Sequence, residues 1–371
     1  MEIAAHLTGP TYGSTIKRTL ERHPDRIAFS DARGQQTYAE VLDLIGRYQA
    51  VLSAAGLERG DGVAALGANR YEVWVLGAAV QSLGLYITWL HPMGSLADQT
   101  FQIGDSQVKA LVVDESTYGE RGRELQQVAE DAGLQMWTMS PADFVTDLET
   151  AAAAVGPQPM RLAAEHSDLS IINYTGGTTG RPKGAYRRQF NLGPSTADIL
   201  ADFELPETPR YLLIPPMSHV AGTNVLPTLI KGGTVHLMSG FDPAAVLETI
   251  EREKINFTLF VPTMVYALLD HPDLDTCDTS SLEYILYGAS PMSESRLREG
   301  IERTGRCSGS STGRPSATRC RCCRRRTTRT RRSSCRAASR WSPSTSASST
   351  RWARRCRSGS PASCACAAAV R

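Results

Sequence analysis

NYTGGTTGRPKGA, residues 173 to 185, decides how the rest of this chain is understood. It follows LSIINYT (169 to 175), a β-branched run that predicts a strand. From Tyr174 to Gly184 it gathers three threonine hydroxyls, four glycines and one lysine. Gly176, Gly177 and Gly180 lack Cβ, so their N–H groups can approach phosphate oxygens closely. Thr175, Thr178 and Thr179 supply hydroxyl donors and Lys183 a compact cation. The stretch is no Walker A loop, because Lys183 stands between Pro182 and Gly184 and no Ser or Thr follows it. On chemistry alone, a phosphate cradle and a flexible polar turn both fit.

Outward from this loop, the chain alternates short apolar runs with amphipathic segments as far as about residue 305, an α/β pattern. Strands are predicted at 26–30, 63–67, 109–114, 211–215, 234–238 and 257–261. Helices are predicted at 38–57, with Gly56 near the end, and at 244–254, started by Asp242 and Pro243. The apolar stretch 73–90 is interrupted by Gln81, Ser82 and Gly84, so it is expected to be a buried helix running into a buried strand rather than a membrane span. AAAAVGPQPM (151–160) is the expected linker, dividing a subdomain 1–160 from a second subdomain 161–306 that holds the loop.

The overall net charge of +2 conceals two unlike parts. Residues 1–306 carry 24 basic and 38 acidic side chains, a net of −14, whereas the last 65 residues carry sixteen Arg and no Lys, Asp or Glu. Eight of the nine cysteines also lie from Cys307 onward, leaving only Cys277 before it. The cysteine-poor body predicts a reducing, cytoplasmic home, and the start MEIAAHLTGPTYG predicts no secretory signal.

YTGGTTGRPKG resembles the signature of the adenylate-forming (AMP-binding) ligases, with Gly176 where that family usually has Ser. PPMSHVAGT (215–223) resembles the family's second motif, which implies that His219 lies beside the acyl-adenylate. LFVPTM (259–264) resembles the border of the acyl pocket. YGASPMSES (287–295) resembles the segment against adenine, carried here by Gly288, Ala289, Ser290 and Pro291; by itself it is a strand-to-helix turn with Ser293 as N-cap. The resemblance implies the large N-terminal domain of these ligases, a layered αβαβα fold with mixed sheets. It implies ATP, Mg²⁺ and CoA as cofactors and co-substrates. It also implies a two-step reaction, in which a carboxylate attacks the α-phosphate of ATP and a CoA thiol then displaces AMP. Thr178, Lys183 and His219 are the catalytic candidates; Thr175, Gly176, Gly177, Thr178, Thr179, Gly180, Lys183, Gly288, Ala289, Ser290 and Pro291 are the nucleotide-binding candidates, and no metal ligand is nominated.

The family's next motif, aromatic-Gly-x-Thr-Glu, is missing where CSGSSTGRPSATR stands (307–319). Shifting the frame by one base lets residues 307–320 be read as VLGQFYGQTERYPV, and residues 358–368 as GEPGELCVRG. Residues 307–371 hold one Val and no Leu, Ile, Phe, Tyr or Met, a composition that cannot bury a core and predicts disorder. They are expected to be a frame-shifted tail, and the small C-terminal domain of the family is expected to be absent. CRCC lacks paired CxxC spacing, which argues against a zinc site, and the arginines imply only nonspecific attraction to nucleic acid. The expected activity is that of an acyl-CoA synthetase for fatty or other apolar acids, weak or lost in this chain. An acyl-AMP ligase feeding a carrier protein and a nucleotide-binding pseudoenzyme stay open as alternatives, and acyl length and oligomeric state are not read from the sequence.

Overall fold

The computed structural model describes residues 9–175, 182–288, 290–304 and 308–311. In chain order the elements are α1 Tyr12–Arg22, β1 Ile27–Asp31, β2 Gly34–Thr37, α2 Tyr38–Ala54, β3 Gly62–Leu66, α3 Tyr71–Ser82, β4 Tyr86–Trp89, α4 Leu96–Asp105, β5 Ala110–Val113, α5 Glu115–Asp131, β6 Gln135–Thr138 and α6 Leu148–Val155. After these come β7 Leu169–Thr175, β8 Lys183–Arg188, α7 Gln189–Asp202, β9 Arg210–Leu213, α8 Val225–Ile230, β10 Thr234–Leu237, α9 Pro243–Arg252, β11 Phe257–Phe260, α10 Pro262–Leu269, β12 Tyr284–Gly288, α11 Glu294–Thr304 and β13 Ser308–Ser311. They build a seven-stranded sheet, β13-β12-β11-β9-β10-β1-β2, and a six-stranded sheet, β6-β5-β3-β4-β7-β8. Each is parallel except for one antiparallel edge strand, β2 in the first and β8 in the second.

Alternation along the strands sorts the side chains into layers. Tyr211 and Leu213 of β9 and Val63 and Ala65 of β3 point into one core between the sheets, with Ile16 of α1, Tyr48 of α2, Leu76 of α3 and Leu226 of α8. Leu212 and Phe260 face the opposite way, beneath Val246 of α9 and Leu268 of α10. Ala64 and Leu111 lie beneath Ile103 of α4 and Leu125 of α5. The result is the expected αβαβα layering. Helix α3, running through the middle, is buried on every side from Glu72 to Ser82. No helix among the described residues is long and apolar enough to cross a membrane.

Helix α2 begins on a capping box in which Thr37 Oγ1 accepts from Glu40 N at 3.2 Å and Glu40 Oε2 accepts from Thr37 N at 2.7 Å. Helix α9 begins as its sequence predicts, with Asp242 accepting from Ala245 N and Pro243 in the first turn.

Three expectations are corrected. The Ala-rich stretch is not a free linker, because Ala151–Val155 complete α6, capped by Asp147. The chain after α6 is packed as well: Gln49 bonds both N and O of Arg161, and a Cβ on Gly46 would stand 2.0 Å from Gln158 O. Second, sheet membership does not divide at 160/161, since β1 and β2 join the sheet of β9–β13 while β7 and β8 join that of β3–β6. Third, the tail does not leave the fold at residue 307. Ser308–Ser311 form β13, pairing with β12 from Ile285↔Ser308 to Gly288↔Ser311. Residues 312–371, the bulk of the segment expected to be disordered, lie outside the described residues.

Candidate active site

The sheets carry their candidate residues at the carboxyl ends of parallel strands, where open α/β sheets receive ligands. β7 runs parallel to β4 and returns as β8, so the motif loop sits at such an end, with Thr175↔Lys183 as the last pair of the hairpin. Tyr174 anchors it by donating to Asp105 Oδ2 of α4 at 2.6 Å. Burial, followed by that carboxylate, keeps the Tyr174 phenol protonated well above its ordinary range. Strand β8 is exposed along its length, and its KGAYRR sequence lines the sheet edge with cations, Lys183 among them. Gly176, Gly177, Thr178, Thr179 and Gly180 lie outside the described residues, as does Ala289.

His219 follows β9 and opens a short 3₁₀ turn, Val220–Asn224. Its Nδ1 is 2.8 Å from Ser218 Oγ, and its ring meets His91 edge-on with centroids 4.9 Å apart. Desolvation on the packed side of the ring, then the neighbouring His91, lowers its pKa, so His219 is neutral near pH 7. The turn is tight enough that a Cβ on Gly222 would lie 1.9 Å from Met217 O.

Asn69, just beyond β3, joins the two sheets. Its Nδ2 donates to Ile214 O at 2.7 Å, Met238 O at 3.0 Å and Pro215 O at 3.3 Å, while its Oδ1 accepts from Met217 N at 2.8 Å. Beside it Arg70 pairs with Asp114 at 2.9 Å and Glu149 at 2.6 Å, and Arg33, from the β1–β2 turn, pairs with Glu72 at 2.8 Å. His91 follows β4, the neighbour of β7, so the His91–His219 contact links the hairpin's sheet to the second motif. Asn69 and His91, which motif reading missed, contact the segment that carries the second motif; each is a polar residue just past a predicted strand, and only that placement marks it.

Gly288 ends β12 and is buried, while Ser290 and Pro291 are exposed in the turn before α11. Ser293 caps that helix, its Oγ accepting from Arg296 N at 3.4 Å. β12 and the hairpin belong to different sheets, so Gly288 and Lys183 share a strand-end position rather than a strand pairing. Among the described residues no group of three or more His, Cys, Asp or Glu is placed to hold a metal ion. The arrangement thus presents a glycine- and threonine-rich loop with one lysine, a neutral imidazole, and a buried strand end followed by an exposed turn.

Known proteins resemble this chain in sequence and in fold. Residues 16–312 match the family model described as AMP-binding enzyme. The chain is 38% identical over 307 residues to the medium/long-chain-fatty-acid–CoA ligase FadD8 of Mycobacterium tuberculosis, covering 81% of this chain and 54% of that protein. It is 31% identical over 283 residues to a feruloyl-CoA synthase of Amycolatopsis sp, covering 76% of this chain and 54% of the relative. The crystal structure of ATP-bound MatB from Rhodopseudomonas palustris superposes with a TM-score of 0.73 at 27% identity, covering 82% of this chain and 60% of that one. The chain therefore spans about half the length of the relatives it matches.

Proposed function

The chain belongs to the AMP-binding enzyme family, and from that membership we propose that it is built for the reaction of an ATP-dependent acid–thiol ligase, in which an acyl-adenylate forms and CoA accepts the acyl group. The observation that carries the reading is the hairpin whose ends are fixed by Thr175↔Lys183 and whose loop holds Thr178 and Thr179, set at the carboxyl end of its sheet. An anionic carboxylate must approach a polyanion, so the task is charge neutralisation and alignment more than covalent catalysis. Loop N–H groups, the hydroxyls of Thr175, Thr178 and Thr179, and Lys183 fit the outer phosphates of ATP. His219, neutral, fits the acyl side, and Gly288 to Pro291 fit the adenine side.

A fatty or other apolar acid is the proposed substrate, supported by the likeness to a fatty-acid ligase; the feruloyl relative shows that this likeness extends to enzymes of aromatic acids. Mg²⁺ is proposed to accompany ATP and to offset phosphate charge. From Cys307 onward the chain holds no acidic residue and sixteen arginines, which supports a shifted reading frame there and leaves that segment without a carboxylate for the ion. Weak or lost thioester formation follows for this chain. ATP–pyrophosphate exchange and CoA-thioester formation, measured on the 371-residue chain and on a version with the frame restored after residue 306, test both halves. Activity with fatty acid and CoA is expected for the restored protein. Adenylate formation indifferent to CoA would shift the reading to a ligase serving a carrier protein, and full activity in the unrestored chain would remove the frame argument.

A further inference from the structure

A second, cationic cavity opens at the opposite edge of the seven-stranded sheet, where β1, β9 and β10 begin. It encloses about 250 Å³ between Arg26, Arg210, Thr208, Thr234 and His236, smaller than the range of about 300–1,000 Å³ usual for larger organic ligands. His236 is only 4% exposed, and its Nε2 has no hydrogen-bond partner among the described residues. A buried polar atom left unpaired is costly, and an unpaired one lining a cavity points to something that fills it.

The surrounding charge says what kind of ligand. Arg210 donates from Nε to Glu253 O at 2.5 Å and stands 3.5 Å from that residue's carboxylate, which Arg252 also pairs at 3.1 Å. Arg26 is exposed; among the described residues its guanidinium makes one hydrogen bond, to Gly232 O at 3.1 Å, and no ion pair. Arg252 is also matched by Glu248 at 2.8 Å, and Glu253 stands 3.7 Å from His236 Nδ1. Arg26 and Arg210 at the cavity therefore face the single carboxylate of Glu253, an excess of one positive charge in a body whose net charge up to residue 306 is −14. The two guanidinium groups and the Thr208 hydroxyl offer donors to an oxyanion, and the His236 ring adds another when protonated.

We propose that this cavity is a binding site for a small oxyanion of the phosphate type, held by Arg26 and Arg210 and closed at its inner end by His236. Its place at the amino ends of the strands separates it from the proposed nucleotide site at their carboxyl ends. Burial, then Arg210, lowers the His236 pKa to about 4, so the free protein holds a neutral ring. A bound phosphate anion favours the protonated ring, whose Nε2–H then donates to a phosphate oxygen, and so moves the titration upward.

The test is a titration of the full 371-residue chain, ¹⁵N-labelled at histidine, with inorganic phosphate at constant ionic strength. The expected result is a saturable shift of the His236 ring resonances and an upward move of their titration. R26Q is expected to weaken the affinity read at His236 at least about tenfold, the loss of one charge-assisted contact. K183A, which changes the other site, leaves it intact. Because Arg26 is exposed, R26Q tests the site without endangering the core. His236 resonances that ignore phosphate, or that respond with unchanged affinity in R26Q, would overturn the proposal.

Discussion

Replacing Asn69 by alanine probes the joint between the two sheets. Asn69 is 9% exposed and makes four hydrogen bonds, three to carbonyls of Ile214, Pro215 and Met238 and one from Met217 N. Alanine removes all four at once and leaves Met217 N–H and the carbonyls facing a void. A buried polar group left unsatisfied costs about 1–3 kcal/mol, and water entering the small space offsets part of this, so the expected loss is about 3 kcal/mol. That is a large share of the roughly 5–15 kcal/mol that holds a domain folded. Asn69→Asp keeps the acceptor for Met217 N but turns a carboxylate on three carbonyls, and is expected to lose more. Urea denaturation followed by tryptophan fluorescence measures both directly, whatever the catalytic state. An alanine variant within about 0.5 kcal/mol of the parent would refute the claim that this side chain joins the two sheets.

Two further substitutions test neighbouring features. Gly222→Ala forces Cβ to within 1.9 Å of Met217 O, so the turn carrying His219 must open; a loss of about 1–3 kcal/mol and a changed His219 titration by NMR are expected. Glu149 is raised from 4.5 to about 7 by burial and then by Glu72, against the pull of Arg70. The folded state therefore holds its proton more tightly than the unfolded chain, a contribution fully present below about pH 4.5 and lost as pH rises to about 7. Its side chain is 33% exposed and touches Arg70, so solvent screening reduces the effect to roughly 1 kcal/mol. Glu149→Gln should flatten that part of the stability–pH curve measured by denaturation, and an unaltered slope would exclude Glu149 as its source.

How far the sequence discloses the molecule depends on which residues carry the signal. Strands buried on both faces, such as Gly62–Leu66 and Phe257–Phe260, are legible because their runs are apolar apart from the β-branched Thr258. Edge strands are not: β2 is Gly-Gln-Gln-Thr and β8 is fully exposed, so neither shows an apolar run. The alanines of α6 read as a linker because alanine suits both a spacer and a helix, and the Asp147 cap with packing on α2 selects the helix. The exchange of strands between sheets leaves no local trace, since pairings such as Phe29↔Val235 join residues far apart in the chain. At the candidate site the loop stands out through its unusual density of Gly, Thr and Lys. Asn69 and His91 make their contacts only after the sheets assemble, so no spacing announces them.

The hairpin loop, as the proposed holder of ATP phosphates, is the part of the molecule on which the proposed chemistry most depends. Equilibrium binding of ATP to the 371-residue chain, compared with a variant in which Thr178, Thr179 and Lys183 are alanine, tests it directly. With contacts to a charged ligand contributing about 1.5–3 kcal/mol each, the triple variant is predicted to bind at least about a hundredfold more weakly while unfolding at the same urea concentration. Equal affinity in the two proteins would contradict the central claim.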